Sequence, residues 1–267
     1  MLRRLFGHAI ASRQRAIPAA LWEQTLAALP IFGHLDEAAR GRLKTLAEAF
    51  LREKKFHGAR GLELTDAMLV RVAAQAALPI LELGLSAYRG WVGIVLYPDE
   101  FVIPKRDVDD LGVMHAYDEV AAGEAWEDGP VLLSWSDVQN AEAGYNVVLH
   151  EFAHKLDLLN GEADGVPRLH SGISESEWRN VLDAAFTDFC QRVEAAENHP
   201  TPDAVEDALA ALPLDDYAAE DPSEFFAVAS ESFFTDPLRL KTAYPALYQL
   251  LTRFYRQEPL HLSNDGA

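Results

Sequence analysis

The stretch VVLHEFAHKLD, residues 147–157, sets His150, Glu151 and His154 in the spacing H-E-x-x-H. On a helix, residues four apart lie one turn above each other, so both imidazoles point the same way. Asp157 continues that stripe, while Val148, Phe152, Leu156 and Leu159 form a separate apolar one. The helix is therefore divided between burial and chemistry. Two imidazoles on one face suit zinc, and the adjacent Glu151 carboxylate can reach a water beside the metal and act on it as general base. The plainer alternative is an exposed helix face with two solvated histidines.

A catalytic zinc usually takes three protein ligands and keeps one position open. A third histidine in the arrangement HExxHxxGxxH is absent, because Asp157 and Asn160 stand at the Gly and last His positions. Asp157 approaches awkwardly from the same helix and reads better as a partner that orients a ligand imidazole. Glu162, Asp164 and His170 in the following loop remain open. The better candidate lies in YAAEDPSEFFAVASESFF, residues 217–234. There Asp221-Pro222 reads as an N-cap with proline at the first helical position. Glu224 and Glu231 share a face of an otherwise apolar helix, where a carboxylate is costly unless paired or metal-bound. Glu224 would equally close a capping box on Asp221, and Glu231 would equally be a salt-bridged surface residue.

Outward from these two segments, helical periodicity dominates the first 85 residues. LWEQTLAALP ends at a proline. LDEAARGRLKTLAEAFLREKKF has Asp36 as its N-cap and a basic last turn, and LTDAMLVRVAAQAALPILELG starts at Thr65 or Asp66 and bends or ends near Pro79. RGWVGIVLYPDEFVIP then holds two β-rich runs, Trp91–Tyr97 and Glu100–Ile103, joined by a Pro98-Asp99 turn. After an acidic loop, DEVAAGEAWEDGP, the stretch VLLSWSDV reads as a third strand, placed along a cleft edge where it would hold an extended peptide. Helices are expected again over 144–160, 174–197, 202–211, 221–235 and 244–256. The fold class is α+β, with a small central sheet between helical layers. The expected division is an N-terminal helical segment, 1–64, packed on a catalytic domain, 65–267.

Composition narrows the classes. A chain of 267 residues with 49% hydrophobic residues can bury a substantial core. Cys190 is the single cysteine, so any metal must be held by His and carboxylate, and a reducing cytoplasm suits the chain. Net charge is −19, unevenly spread: residues 1–60 hold 11 Lys/Arg against 5 Asp/Glu, and the remainder 12 against 37. An acidic body repels phosphate backbones, which argues against direct nucleic-acid binding. The basic first segment reads as a solvated helix face, with Leu2, Leu5, Phe6, Ala9 and Ile10 at helical spacing rather than as a cleaved signal. No apolar run reaches the roughly 18–20 residues of a membrane span.

HEFAHKLD followed by YAAEDPSEFFAVASESFF resembles the Mlc titration factor A family of zinc peptidases, which in turn are similar to the catalytic domain of anthrax lethal factor. GLELTDAMLVRVAAQAALPILELG, VGIVLYPDEFVIP (as a hairpin) and GPVLLSWSDV also look like that family. The resemblance implies a zincin-like fold and one zinc ion per chain held by His150, His154 and Glu224. It implies Glu151 as general base and Tyr217 as the phenol supporting the tetrahedral intermediate. It also implies aminopeptidase-like cleavage of short peptides and a repressor partner of the Mlc type. The competing readings are a regulator that mainly sequesters a repressor, and a structural zinc closed by Asp157 or His170.

Overall fold

The computed structural model describes residues 16–108, 114–140 and 144–260. Its four-stranded sheet has the order β1 (Lys55–Gly58), β2 (Gly93–Tyr97), β6 (Val131–Ser134), β5 (Gly123–Ala125). The first three run parallel, and β5 pairs antiparallel with β6 at the edge. Period-two alternation sends one set of side chains to each face. Ile94, Leu96, Val131 and Leu133 are fully buried in the main core, whereas Val95, Tyr97 and Leu132 pack with Phe101 and Ile103 on the opposite face. Phe101 and Ile103 belong to β3 (Phe101–Val108), which pairs with β4 (Met114–Ala121) in a separate two-stranded ribbon.

Helices supply the other layers: α1 (Ala19–Ala27), α2 (Glu37–Glu53), α3 (Asp66–Ala77), α4 (Trp135–Gln139), α5 (Val147–Asp157), α6 (Glu175–Glu197), α7 (Pro202–Ala210), α8 (Pro222–Thr235), α9 (Pro237–Ala243) and α10 (Pro245–Tyr255). Their starts follow cap chemistry. Asp36 accepts from the Ala39 amide, Thr65 from Met68, and Asp221 from Ser223 and Glu224, satisfying amides that have no partner within the helix. α3 is buried along nearly its whole length and lies beside α2 and α5, and α5 also packs on α8. Beneath α5, Phe152 meets Phe50, Tyr88 and Trp91 with ring centroids 5.6, 5.1 and 5.7 Å away, tilted or edge-on as aromatic quadrupoles prefer. The apolar stripe Val148, Phe152, Leu156 of the sequence reading is this buried face.

Several expectations need correction. Lys55–Gly58, overlapping the end of a segment read as helix, is a strand, and it forms a parallel pair with β2. The two runs around Pro98-Asp99 do not form a hairpin, because β2 is filled on both edges by β1 and β6 while β3 pairs with β4. Only the first four residues of VLLSWSDV are strand. Ser134 then accepts from the Asp137 amide and starts α4. This strand is interior, so it offers no free edge; the edge is β5, within the segment read as an acidic loop. Pro237–Ala243 is an additional helix. The spacing at Leu2–Ile10 lies outside the described residues. Among the described residues, no helix is long and apolar enough to cross a membrane.

Candidate metal centre and active site

Asn146 fixes the start of α5. Its side-chain oxygen accepts from the Leu149 amide at 3.0 Å, its side-chain nitrogen donates to Gln75 Oε1 at 2.7 Å, and its backbone N–H donates to Glu231 Oε1. One buried residue thus ties α3, α5 and α8 together. From this anchor His150 and His154 project on one face, ring centroids 4.8 Å apart. Glu224, in the first turn of α8, reaches them from across the groove. Asp221 caps that turn through the Glu224 amide, but the Glu224 carboxylate turns to the histidines instead of closing a capping box.

His150 Nε2, His154 Nε2 and Glu224 Oε2 form a nearly equilateral triangle. The sides are 3.1 Å between the histidines, 3.1 Å from His150 to Glu224, and 3.2 Å from His154 to Glu224. Three ligands of a tetrahedral ion with bonds of ~2.0–2.1 Å would stand about 3.3 Å apart, so the triangle has the dimensions of one tetrahedral face. Hydrogen bonding behind the rings gives the same answer. Ser223 Oγ donates to Asp157 Oδ2 at 2.8 Å, which leaves it to accept from His154 Nδ1–H at 3.2 Å. His150 Nδ1 faces Glu231 Oε2 at 3.4 Å. In neutral histidines these bonds place both protons on Nδ1 and leave both Nε2 lone pairs aimed at the Glu224 oxygen. Three converging acceptors repel one another unless a cation sits between them. These are the residues among those described that converge as a metal-ligand group.

Electrostatics without an ion express the same crowding. Burial opposes charge on His150, yet its bonds to Glu224 and Glu231 and the surrounding carboxylates hold its pKa well above the usual imidazole value. Burial pushes Glu224 up, but the bonds from His150 and His154 outweigh it and hold the carboxyl well below the usual range. Asp157, fully buried, is pushed up to about 6 by burial, against the bonds it accepts from the Gly165 amide and Ser223. Gly165 is the residue that geometry demands there: its φ is +76°, and a Cβ would lie 2.4 Å from the Pro222 carbonyl oxygen.

Glu151 points the other way round the helix, toward β5. Its carboxyl is buried and pushed up to about 7 by that burial, the charges of His150 and His154 pulling against the rise. Its Oε2 has no hydrogen-bond partner among the described residues. A Cβ on Gly123 would lie 2.4 Å from Glu151 Oε1, so the glutamate occupies the space that a side chain on β5 would fill. A cavity of ≈ 400 Å³ opens beside the triangle, lined by Glu151, Glu224, Tyr217 and the β5 residues Gly123 to Ala125. Tyr217 sits on a 3-10 turn, Asp216–Ala219, 45% exposed, with its ring centroid 6.2 Å from that of His150.

Of the other ligand candidates, Asp164 pairs with Arg179 at 2.8 Å, and His170 faces the Arg253 and Phe254 carbonyls; neither joins the triangle. Sequence reasoning overlooked Ser223 and Gly123. Ser223 stood beside Glu224 in a cap signature that already explained it. Gly123 is used for the side chain it lacks, which leaves no periodic signal.

A helix-borne histidine pair, a distant glutamate and a small sheet whose antiparallel edge strand borders the groove define a metallopeptidase with a zincin-like fold. The chain belongs to the glucose-regulated metallo-peptidase M90 family, whose sequence profile matches residues 3–256. It is similar to the proteins named Mlc titration factor A from Klebsiella pneumoniae, 38% identical over 242 residues covering 90% of this chain and 86% of the relative. The protein of that name from Serratia proteamaculans is 39% identical over 244 residues, 90% and 88% of the two chains. The Escherichia coli protein is 36% identical over 260 residues, 95% and 92%.

Proposed function

We propose that this chain is a zinc-dependent peptidase in which His150, His154 and Glu224 hold the ion, Glu151 is the general base and Tyr217 supports the oxyanion. The observation that carries the reading is the acceptor triangle with sides of 3.1–3.2 Å, open on one side to the cavity. The donor set, two neutral imidazoles and one carboxylate, suits zinc at a catalytic site, where a fourth position stays free. Bound there, zinc would acidify a water and polarise the scissile carbonyl. Glu151, with one buried oxygen that has no hydrogen-bond partner among the described residues, takes the proton of the attacking water and passes it to the leaving amine. The Tyr217 hydroxyl, on the exposed side of the groove, donates to the oxygen that becomes anionic. Asp157 acts through Ser223 on His154, and Glu231 acts on His150, each fixing an imidazole with its Nε2 lone pair toward the ion.

β5, at the edge of the sheet, would align an extended peptide beside Glu151, in the role that sequence alone assigned to VLLSWSDV. Short peptides, cleaved in aminopeptidase fashion, and a cytoplasmic setting complete the reading. We read residues 1–64 as a segment packed on the catalytic body 65–267, with β1 its contribution to the sheet. The name shared by the relatives supports a second activity, binding of a repressor of the Mlc type, which would not require hydrolysis.

Glu151→Gln tests the assignment. It should keep stoichiometric zinc, folding and repressor binding while abolishing hydrolysis. Hydrolysis that survives this change would sink the mechanism.

A further inference from the structure

Beside the metal groove lies a second and larger cavity, ≈ 670 Å³. Gly144, Tyr145, Asp215 and Val228 line both, so the two spaces adjoin across these residues. α7 forms the far wall. It starts with Pro202 at its first position, capped by Thr201, whose side chain accepts from the Ala204 amide. Its sequence, PDAVEDALA, sets Val205 and Leu209 one turn apart, on one face. An amphipathic helix normally buries such a face, yet no residue of α7 is buried. Val205 and Leu209 are half-buried and both border the cavity, Leu209 also packing against the main core.

The charges around this space are also one-sided. Glu206, Asp215, Asp216 and Asp236 stand at its lining against Arg239. Arg239 itself donates to the carbonyls of Ala210 and Leu212, bracing the turn that follows α7. The result is an apolar wall with an acidic surround, next to the groove that holds Glu151 and Glu224.

We infer that this cavity is a substrate subsite: it takes the part of a peptide flanking the scissile bond, seating an apolar side chain against Val205 and Leu209 beside a cationic neighbour. The inference rests on the peptidase reading for its occupant. Adjacency to the groove, through the lining residues the two share, selects a peptide in extension from the metal centre, and the excess of carboxylates selects the basic neighbour. An occupied subsite contributes to binding in proportion to its contacts and leaves the chemical step alone unless those contacts strengthen in the transition state.

The test compares an amino-acid anilide, too short to reach α7, with quenched-fluorescent alanine octapeptides in which a Leu-Lys or Leu-Glu pair is walked along the chain. The Leu-Lys pair should lower KM at one register, with Leu-Glu weaker there. Val205→Trp, which fills the cavity, and Val205→Glu, which makes the wall polar, should each raise KM for that octapeptide by about tenfold, the order of one buried apolar side chain. Anilide cleavage should stay within about twofold of wild type. Octapeptide kinetics unchanged in both variants, or both substrates slowed alike, would overturn the subsite. Calorimetric binding of the same octapeptide to Glu151→Gln, with and without Val205→Trp, separates the two claims. Binding to Glu151→Gln that is lost on adding Val205→Trp, together with a wild-type enzyme that cleaves nothing, would leave the subsite standing and remove the peptidase reading. Binding indifferent to Val205→Trp would remove the subsite whatever the enzyme cleaves.

Discussion

Gly123 and Glu151 are packed so closely that a Cβ on the glycine would fall 2.4 Å from Glu151 Oε1 and 2.6 Å from its Cγ. The edge strand and the candidate base therefore fix each other. The Gly123 backbone is not in the left-handed region, so alanine there meets no conformational penalty and acts only through the clash. Gly123→Ala should leave folding and zinc content intact while lowering kcat on the order of 10²-fold, the scale of a displacement of about 1 Å in a catalytic group. Kinetics beside metal analysis of the purified variant check this. Wild-type kcat in Gly123→Ala would show that Glu151 is not held by the strand in the way described.

Ser223 offers a different handle, because it lies behind the proposed metal ligands rather than among them. Its hydroxyl joins Asp157 to His154, so Ser223→Ala frees the imidazole to rotate or change tautomer and strips a partner from the fully buried Asp157. Zinc affinity should fall by about 10–100-fold, the range for a hydrogen-bond partner of a ligand, with little change in the peptide KM. Ser223→Thr, which keeps the hydroxyl, should recover most of it. Competition with a chelating dye measures both, and equal affinities for wild type and Ser223→Ala would remove the relay.

Glu224→Ala removes one vertex of the triangle and leaves two lone pairs facing each other at 3.1 Å. Its loss of zinc should exceed that of Ser223→Ala, since a ligand matters more than the group that orients one. Metal content after dialysis against a weak chelator decides it. Stoichiometric zinc of unchanged affinity would mean that another residue completes the site.

The parts of this architecture visible in the sequence are those whose signal is local. α2, α3 and α8 announce themselves through caps at Asp36, Thr65 and Asp221 and through apolar residues at helical spacing, and the helix spacing alone puts His150 and His154 on one face. Glu224 is 70 residues from His154, and the residues by themselves left it competing with a capping box; the resemblance and then the fold joined the halves. β1 and β5 were missed for a physical reason. KFHG and GEA are too short to show alternation, and both are strands only because β2 and β6 supply their partners. The same tertiary override turned the expected hairpin at Pro98-Asp99 into two strands of different sheets.

Lys54 yields a prediction that is independent of the metal. Its ammonium is buried above the Trp91 ring, 4.1 Å from the centroid, and donates to the Trp91 carbonyl at 2.8 Å and to Glu53 at 2.8 Å. Burial nevertheless lowers its pKa below the ordinary lysine value, the Glu53 carboxylate pulling the other way. In the window between the lowered and the ordinary value the unfolded chain binds more protons than the folded one. Stability contributed by this group therefore rises as pH climbs through that window, and the cost of the buried charge is fully present below it. Lys54→Met abolishes that dependence and at every pH also loses the hydrogen bonds, so subtracting its stability from wild type cancels the buried tyrosines and leaves Lys54 together with the part of the Lys155 shift that the Lys54 charge causes, which has the same sign. Denaturant unfolding at intervals between pH 8 and pH 10.5 should give a difference that shifts steadily in favour of wild type as pH rises. Parallel curves for the two proteins would show that Lys54 holds its proton in the core as readily as in water.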